Sequence, residues 1–131
     1  CRVPFIISSP TGKSNEIDSE HLVSNGLDFI PTICDYAGIE LAEINLEGRS
    51  IKPLVEGEKT NNWRDVVKIE SEFGRAIVTN RYKYVLYYEG KNREQLYDLK
   101  EDPGEMRNAL YDNDKKEVVD KLRCKFKEMF K

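Results

Sequence analysis

Tyr82-Lys83-Tyr84-Val85-Leu86-Tyr87-Tyr88 decides how the second half of the chain folds. Tyr82, Tyr84, Leu86 and Tyr88 fall on one side of an extended backbone, and Lys83, Val85 and Tyr87 on the other, the period of two that a strand imposes. Runs of the same kind flank it: Val66 to Glu72, Arg75 to Asn80 and Glu94 to Leu99, each rich in Val, Ile or Tyr or alternating in polarity. Short Gly- or Asn-bearing breaks separate them and leave no room for helices, so the four runs predict an antiparallel meander. Asp102-Pro103-Gly104-Glu105 ends the meander. From about Asp114 onward Val118, Val119, Leu122, Phe126, Met129 and Phe130 form one stripe at helical spacing, which predicts a helix backing the sheet. The Lys and Arg residues on its other side read as a solvated face.

Toward the N-terminus, Glu58-Lys59-Thr60-Asn61-Asn62 is a polar connector and divides the chain into residues 1–57 and 58–131. Ser50-Ile51-Lys52-Pro53-Leu54-Val55 predicts a short Ser-capped helical turn closed by Gly57. Ser24 to Gly38 is helical in pattern, with Phe29, Ile30, Ile33, Cys34, Tyr36 and Ala37 at three-to-four spacing and Gly38 as a left-handed C-cap. Pro31 is tolerated best in a first turn, so either Asp28 caps a helix starting at Phe29 or a Ser24-capped turn kinks near Pro31; the first is preferred. Val3 to Ser8 reads as a strand buried on both faces, as in a parallel sheet covered by helices. It is entered almost at once from Cys1, as if the chain were cut from something longer. The class is α/β, or α+β when the segment is taken alone.

With 131 residues, 39% hydrophobic and 34% charged, the sequence suits one ordinary globular unit and not a disordered chain. A net charge of -3, without a basic patch interleaved with aromatics, argues against nucleic acid as a partner. No apolar run reaches the roughly 20 residues of a membrane span. Cys1, Cys34 and Cys124 are odd in number and irregularly spaced, which supports neither a disulfide framework nor a zinc site. Cys34 and Cys124 read as buried, inert thiols on helices.

Gly12-Lys13-Ser14 matches the tail of a phosphate-binding loop, but the glycine required five positions earlier is Ile7, so a plain loop is the better reading. His21 is the single histidine, without an evident carboxylate partner, and reads as a surface-loop residue. Glu70 and Glu72 at alternate strand positions would share one face near Gly74.

Five ordered segments resemble the C-terminal part of the sulfatase family, within the alkaline-phosphatase-like superfamily. They are Arg2-Val3-Pro4-Phe5-Ile6-Ile7; Val23-Ser24-Asn25-Gly26-Leu27-Asp28-Phe29-Ile30-Pro31-Thr32 with Asp35-Tyr36-Ala37-Gly38-Ile39; Leu46-Glu47-Gly48-Arg49-Ser50-Ile51-Lys52-Pro53-Leu54; Trp63-Arg64-Asp65; and Arg81-Tyr82-Lys83-Tyr84 with Gln95-Leu96-Tyr97-Asp98-Leu99, Asp102-Pro103-Gly104-Glu105 and Asn108. The second is the most diagnostic, being similar to the family's Val-Ser-x-x-Asp-x-x-Pro-Thr helix.

The resemblance implies that residues 1–57 complete the large sulfatase α/β domain and that 58–131 form the small C-terminal subdomain. It implies a parent that hydrolyses a sulfated glycan or an aryl sulfate, with a formylglycine nucleophile and a calcium ion. No Cys/Ser-x-Pro/Ala-x-Arg motif surrounds any of the three cysteines, so no catalytic residue or metal ligand is assigned here. The missing N-terminal catalytic domain is the partner implied, and a periplasmic or secreted location is what the family suggests. By the same resemblance the subdomain reaches the rim of the substrate pocket, with Glu72, Phe73 and Arg75 as candidate substrate-binding residues. Arg75 would pair with a sulfate or carboxylate, or else flank the turn as an ion pair. Two rivals differ in what they require: a phosphatase or phosphodiesterase of the superfamily, and a stand-alone glycan or protein interaction module binding through Tyr87 or Tyr88.

Overall fold

Residues 3–8, 10, 17–41 and 46–131 are described by the computed structural model. Cys1 and the Gly12-Lys13-Ser14 stretch lie outside the described residues. The chain forms two units, Cys1–Trp63 and Arg64–Lys131.

In the first unit α1 spans Asn25–Tyr36 and α2 spans Lys52–Val55. The cap position of α1 is Ser24, not Asp28, and Pro31 sits inside the helix. Asp28 is fully buried instead, its Oδ2 accepting the Ser24 N–H at 2.7 Å, a return bond like that of a capping box displaced by one residue. Both helices end as expected of glycine stops. Gly38 N–H donates to Asp35 O and Ile39 N–H to Cys34 O, and the pair recurs as Gly57 to Leu54 O and Glu58 to Pro53 O. Gly38 and Gly57 have φ of 68° and 72°, the left-handed conformation this double bond requires.

Val3 to Ser8 forms no strand, and Val3, Phe5, Ile6 and Ile7 are exposed. The expected parallel strand needs neighbours on both edges, and among the described residues the one sheet is built wholly from the second unit.

That sheet contains β1 (Val67–Ser71), β2 (Gly74–Val78), β3 (Tyr82–Tyr87) and β4 (Glu94–Asp98), all antiparallel neighbours in the order β1-β2-β3-β4. The meander is therefore as the alternation predicts. Tyr88 lies just past β3 and Glu72 lies in the β1–β2 turn, so Glu70 and Glu72 do not share a strand face. Ile77, Tyr84 and Leu96 line up across β2, β3 and β4. Behind a short 3-10 turn at Asn113–Lys115, α3 (Lys116–Met129) lays Val119, Leu122 and Phe126 into one cluster with them, completed by Ala109 and Leu110. Tyr84 meets Phe126 edge-on at 5.4 Å.

Candidate functional site

The β1–β2 connection is a two-residue loop, Glu72-Phe73, between the paired Ser71 and Gly74. Ser71 Oγ accepts the Phe73 N–H and donates to Gly74 O, while Tyr88 N–H donates to Phe73 O at 3.0 Å. A side chain at Gly74 would stand 2.6 Å from Leu86 O, so the hairpin and β3 approach too closely for any other residue. The result is a tip held by backbone bonds that presents Phe73, 70% exposed, with Tyr88 beside it. Glu72 is exposed there as well.

Arg75 is placed differently. Its Nε lies 2.9 Å from Glu70 Oε1, off the N–H axis, so the contact is coulombic and not a hydrogen bond. Its guanidinium stands 5.0 Å over the Phe130 ring. Of the three candidates, Glu72 and Phe73 share the tip, and Arg75 is tied to Glu70 and to Phe130, the residue that follows α3. The ion-pair alternative of the sequence reading thus describes Arg75 as it stands. Tyr88 enters the sequence reading only as a glycan contact of the rival interaction module; its register beside a two-residue hairpin brings it next to Phe73.

The segment from Leu96 to Asn108 works as a fastener. Asp98 is buried and receives Arg81 Nη2 at 2.9 Å, Lys115 Nζ at 3.2 Å and the Lys100 N–H. The Arg81 guanidinium first, then Lys115, holds its carboxyl well below the usual carboxylate range against the opposing effect of burial. Asn108 Oδ1 accepts the N–H groups of Leu96 and Leu110, and its Nδ2 donates to Glu94 O, tying the loop to β4. Lys83 pairs with Glu105. These residues hold the second unit together, tying β3, β4 and the loop after β4 to the start of α3.

Glu94 accepts the Tyr84 hydroxyl at 2.7 Å and both Nε and Nη2 of Arg123. Burial, and then the Glu94 carboxylate, pushes the Tyr84 phenol up. Arg123 therefore clamps α3 to β4, which corrects the reading of every cation on that helix as a solvated face. Cys124 is exposed and Cys34 half-buried, so the expectation of two buried thiols fails for Cys124; it occupies the outward side of α3, opposite Leu122 and Phe126.

In the first unit Asp28 also accepts the Arg49 N–H at 2.8 Å, and Thr32 Oγ1 donates to Asp28 O and accepts the Ile51 N–H. Asp28 and Thr32 thus fix the Gly48-Arg49-Ser50-Ile51 backbone against α1. His21 does have a carboxylate partner, Asp18, with Nδ1 2.8 Å from Oδ2; its Nε2 lies 3.2 Å from the Thr60 hydroxyl. The signal was local: Asp18 Oδ1 also accepts the N–H groups of Glu20 and His21, an Asx-type turn three residues long. The ring meets Trp63 edge-on at 5.7 Å, and Trp63 Nε1 donates to Leu22 O, so the row anchors loop 18–22 to the Thr60–Trp63 stretch. Among the described residues no group of three or more His, Cys, Asp or Glu is placed to hold a metal, and no helix is long and apolar enough to cross a membrane.

Residues 1–131 match the family model described as N-sulphoglucosamine sulphohydrolase, C-terminal. The chain belongs to the sulfatase family. This sulfatase segment is 38% identical over 119 residues to a Delta 4,5-hexuronate-2-O-sulfatase of Bacteroides thetaiotaomicron, covering 84% of the segment and 24% of that protein. It is 36% identical over 130 residues to an arylsulfatase of Clostridium perfringens, covering 93% and 26%. The solved structure of a 2-O GAG sulfatase superposes with a TM-score of 0.81 at 33% identity, over 93% of the segment and 28% of that chain. A phosphonate monoester hydrolase of Agrobacterium radiobacter superposes less well, with a TM-score of 0.60 at 26% identity over 77% of the segment and 23% of that chain. The segment spans about a quarter of the length of the curated relatives it matches.

Proposed function

We propose that the chain is the C-terminal portion of a sulfatase that hydrolyses a sulfate ester on a glycan, with residues 1–57 completing the catalytic α/β domain and 58–131 forming the subdomain at its rim. The observation that carries the reading is the 38% identity to a hexuronate 2-O-sulfatase, maintained over 84% of the chain. The poorer likeness to the phosphonate monoester hydrolase makes a phosphorus-ester hydrolase the weaker alternative.

Calcium takes six to eight oxygen ligands. The described residues offer no such cluster, so they do not fit the calcium ion that the family implies. The formylglycine nucleophile likewise belongs to the upstream part of the parent. What this chain contributes is the substrate rim: Phe73 offers an exposed ring for the apolar side of a sugar, Glu72 accepts hydroxyl hydrogen bonds, and Arg75 meets a sulfate or carboxylate by exchanging Glu70 for it. A periplasmic or extracellular site of action accords with such substrates.

The test is turnover. The full-length protein is expected to release sulfate from a 2-O-sulfated uronate disaccharide, and the 131-residue chain is expected to release none. Hydrolysis of a phosphonate monoester in preference to every sulfate ester tried would overturn the assignment.

A further inference from the structure

Arg81, Lys83, Arg107, Lys115 and Arg123 of the second unit each meet a carboxylate. Arg93 does not. It and Lys91, both exposed between β3 and β4, form no ion pair among the described residues, Glu89 of the same turn included. Glu94, the next residue, is already taken by Arg123 and the Tyr84 hydroxyl. Arg93 is nevertheless held in place: its Nε donates to Tyr87 O at 2.9 Å, and its own carbonyl accepts the Tyr87 N–H at 2.8 Å. No described acceptor takes its two Nη groups, so the guanidinium is anchored at one edge and keeps its remaining donors for an anion.

We propose that Arg93, seconded by Lys91 of the same turn, is a specificity site for a second sulfate, carried by the sugar next to the one that loses its own. The inference rests on the proposed function and narrows its substrate class to an oligosaccharide of at least two sugars with a sulfate on each. Backbone bonds set the spacing: Tyr87 N–H donates to Arg93 O, and the N–H of the following Tyr88 donates to Phe73 O. Phe73 and Arg93 therefore flank the end of β3 on opposite sides, two strand spacings or roughly 10 Å apart. That span exceeds one sugar ring, so a sugar on Phe73 leaves Arg93 to its neighbour. The exposed rings of Phe73 and Tyr88 suit the apolar faces of sugars, and a sulfate has oxygens enough for both Arg93 and Lys91. Arg93 meets a group that does not react, so it binds ground state and transition state alike and acts on KM.

The experiment assays the full-length protein on two disaccharides that share a 2-O-sulfated uronate. The neighbouring hexosamine carries sulfate at its amino and 6-positions in one and at neither in the other. Arg93→Ala is expected to raise KM for the first roughly tenfold with kcat unchanged, and to leave both constants for the second as in the wild type. The melting midpoint should hold, because the side chain is exposed, and Arg93→Lys should recover part of the loss. Equal effects on the two substrates, or none on either, would overturn the proposal. Calorimetric binding of the first disaccharide freed of its 2-O-sulfate separates this site from the proposed function. A protein that hydrolyses no sulfate ester yet binds that product through Arg93 sinks the function and leaves the site intact. Turnover of sulfate esters that ignores Arg93 sinks the site alone.

Discussion

A methyl group on Gly48 would stand 1.7 Å from the carbonyl oxygen of Leu27. That oxygen is the one Pro31, lacking an N–H, leaves without its helical partner four residues on. The proline inside α1 and the glycine in the loop that follows are therefore two halves of one contact: the first frees a carbonyl, and the second lets backbone approach it. Arg49 and Ile51, on either side of Ser50, then bond to Asp28 and Thr32 of the same helix.

Gly48→Ala should accordingly destabilise the first unit by about 2–4 kcal/mol, since the atoms in the way are backbone and cannot rotate aside. Trp63 is the single tryptophan and lies in that unit, so its fluorescence in a urea titration reports the change. A loss smaller than about 0.5 kcal/mol, the level of an ordinary surface substitution, would show that the loop relaxes away from α1.

Asp28→Asn keeps the volume but replaces one acceptor oxygen by a donor. Ser24 N–H and Arg49 N–H each use a different carboxylate oxygen, so one of them must then face an NH₂ group. A cost of about 2 kcal/mol follows for a buried donor left unpaired. Hydrogen exchange at the Ser24 and Arg49 amides shows which bond is lost; unchanged protection at both contradicts the argument.

Asp98 makes the second unit acid-sensitive. Its folded carboxyl titrates below the ordinary 3.8, with the Arg81 guanidinium as the main cause. Because the folded value is the depressed one, the stability that the ionised group contributes is complete above the unfolded value and is lost as pH falls through the folded one. Circular dichroism melts between about pH 4 and pH 2 should show a falling stability that Asp98→Asn flattens, while at neutral pH the variant is weaker by roughly 3 kcal/mol because Lys115 stays buried beside a neutral amide. Parallel acid limbs for the two proteins would mean that other carboxylates govern the transition.

The sheet and α3 were legible because alternation in Tyr82 to Tyr88 and the Val119-Leu122-Phe126 stripe are local patterns, and packing agrees with them. The role of Asp28 was not, since its claimant Arg49 lies 21 residues on and leaves no trace in the helix's own periodicity. Arg123 was misread for the same reason, being defined by Glu94 on another element. Val3 to Ser8 has the composition of a strand, but composition supplies no partner to pair with. At the candidate rim, sequence placed a bend near Gly74 but kept Glu72 in the strand before it, while the Glu72-Phe73 loop, the tie between Arg75 and Glu70 and the nearness of Tyr88 follow from strand register.

Phe73 offers the sharpest separation of stability from function. Its side chain is exposed and the turn is held by Ser71 Oγ and backbone bonds, so Phe73→Ala should leave the second unit's melting unchanged. If the tip borders the substrate, the same change in the full-length protein removes a ring that binds ground state and transition state alike, and KM for a sulfated disaccharide rises roughly tenfold while kcat holds. A small aryl sulfate, too short to reach the tip, should keep its KM. Equal losses on both substrates would point to a distorted hairpin, and no loss on either would place the rim elsewhere.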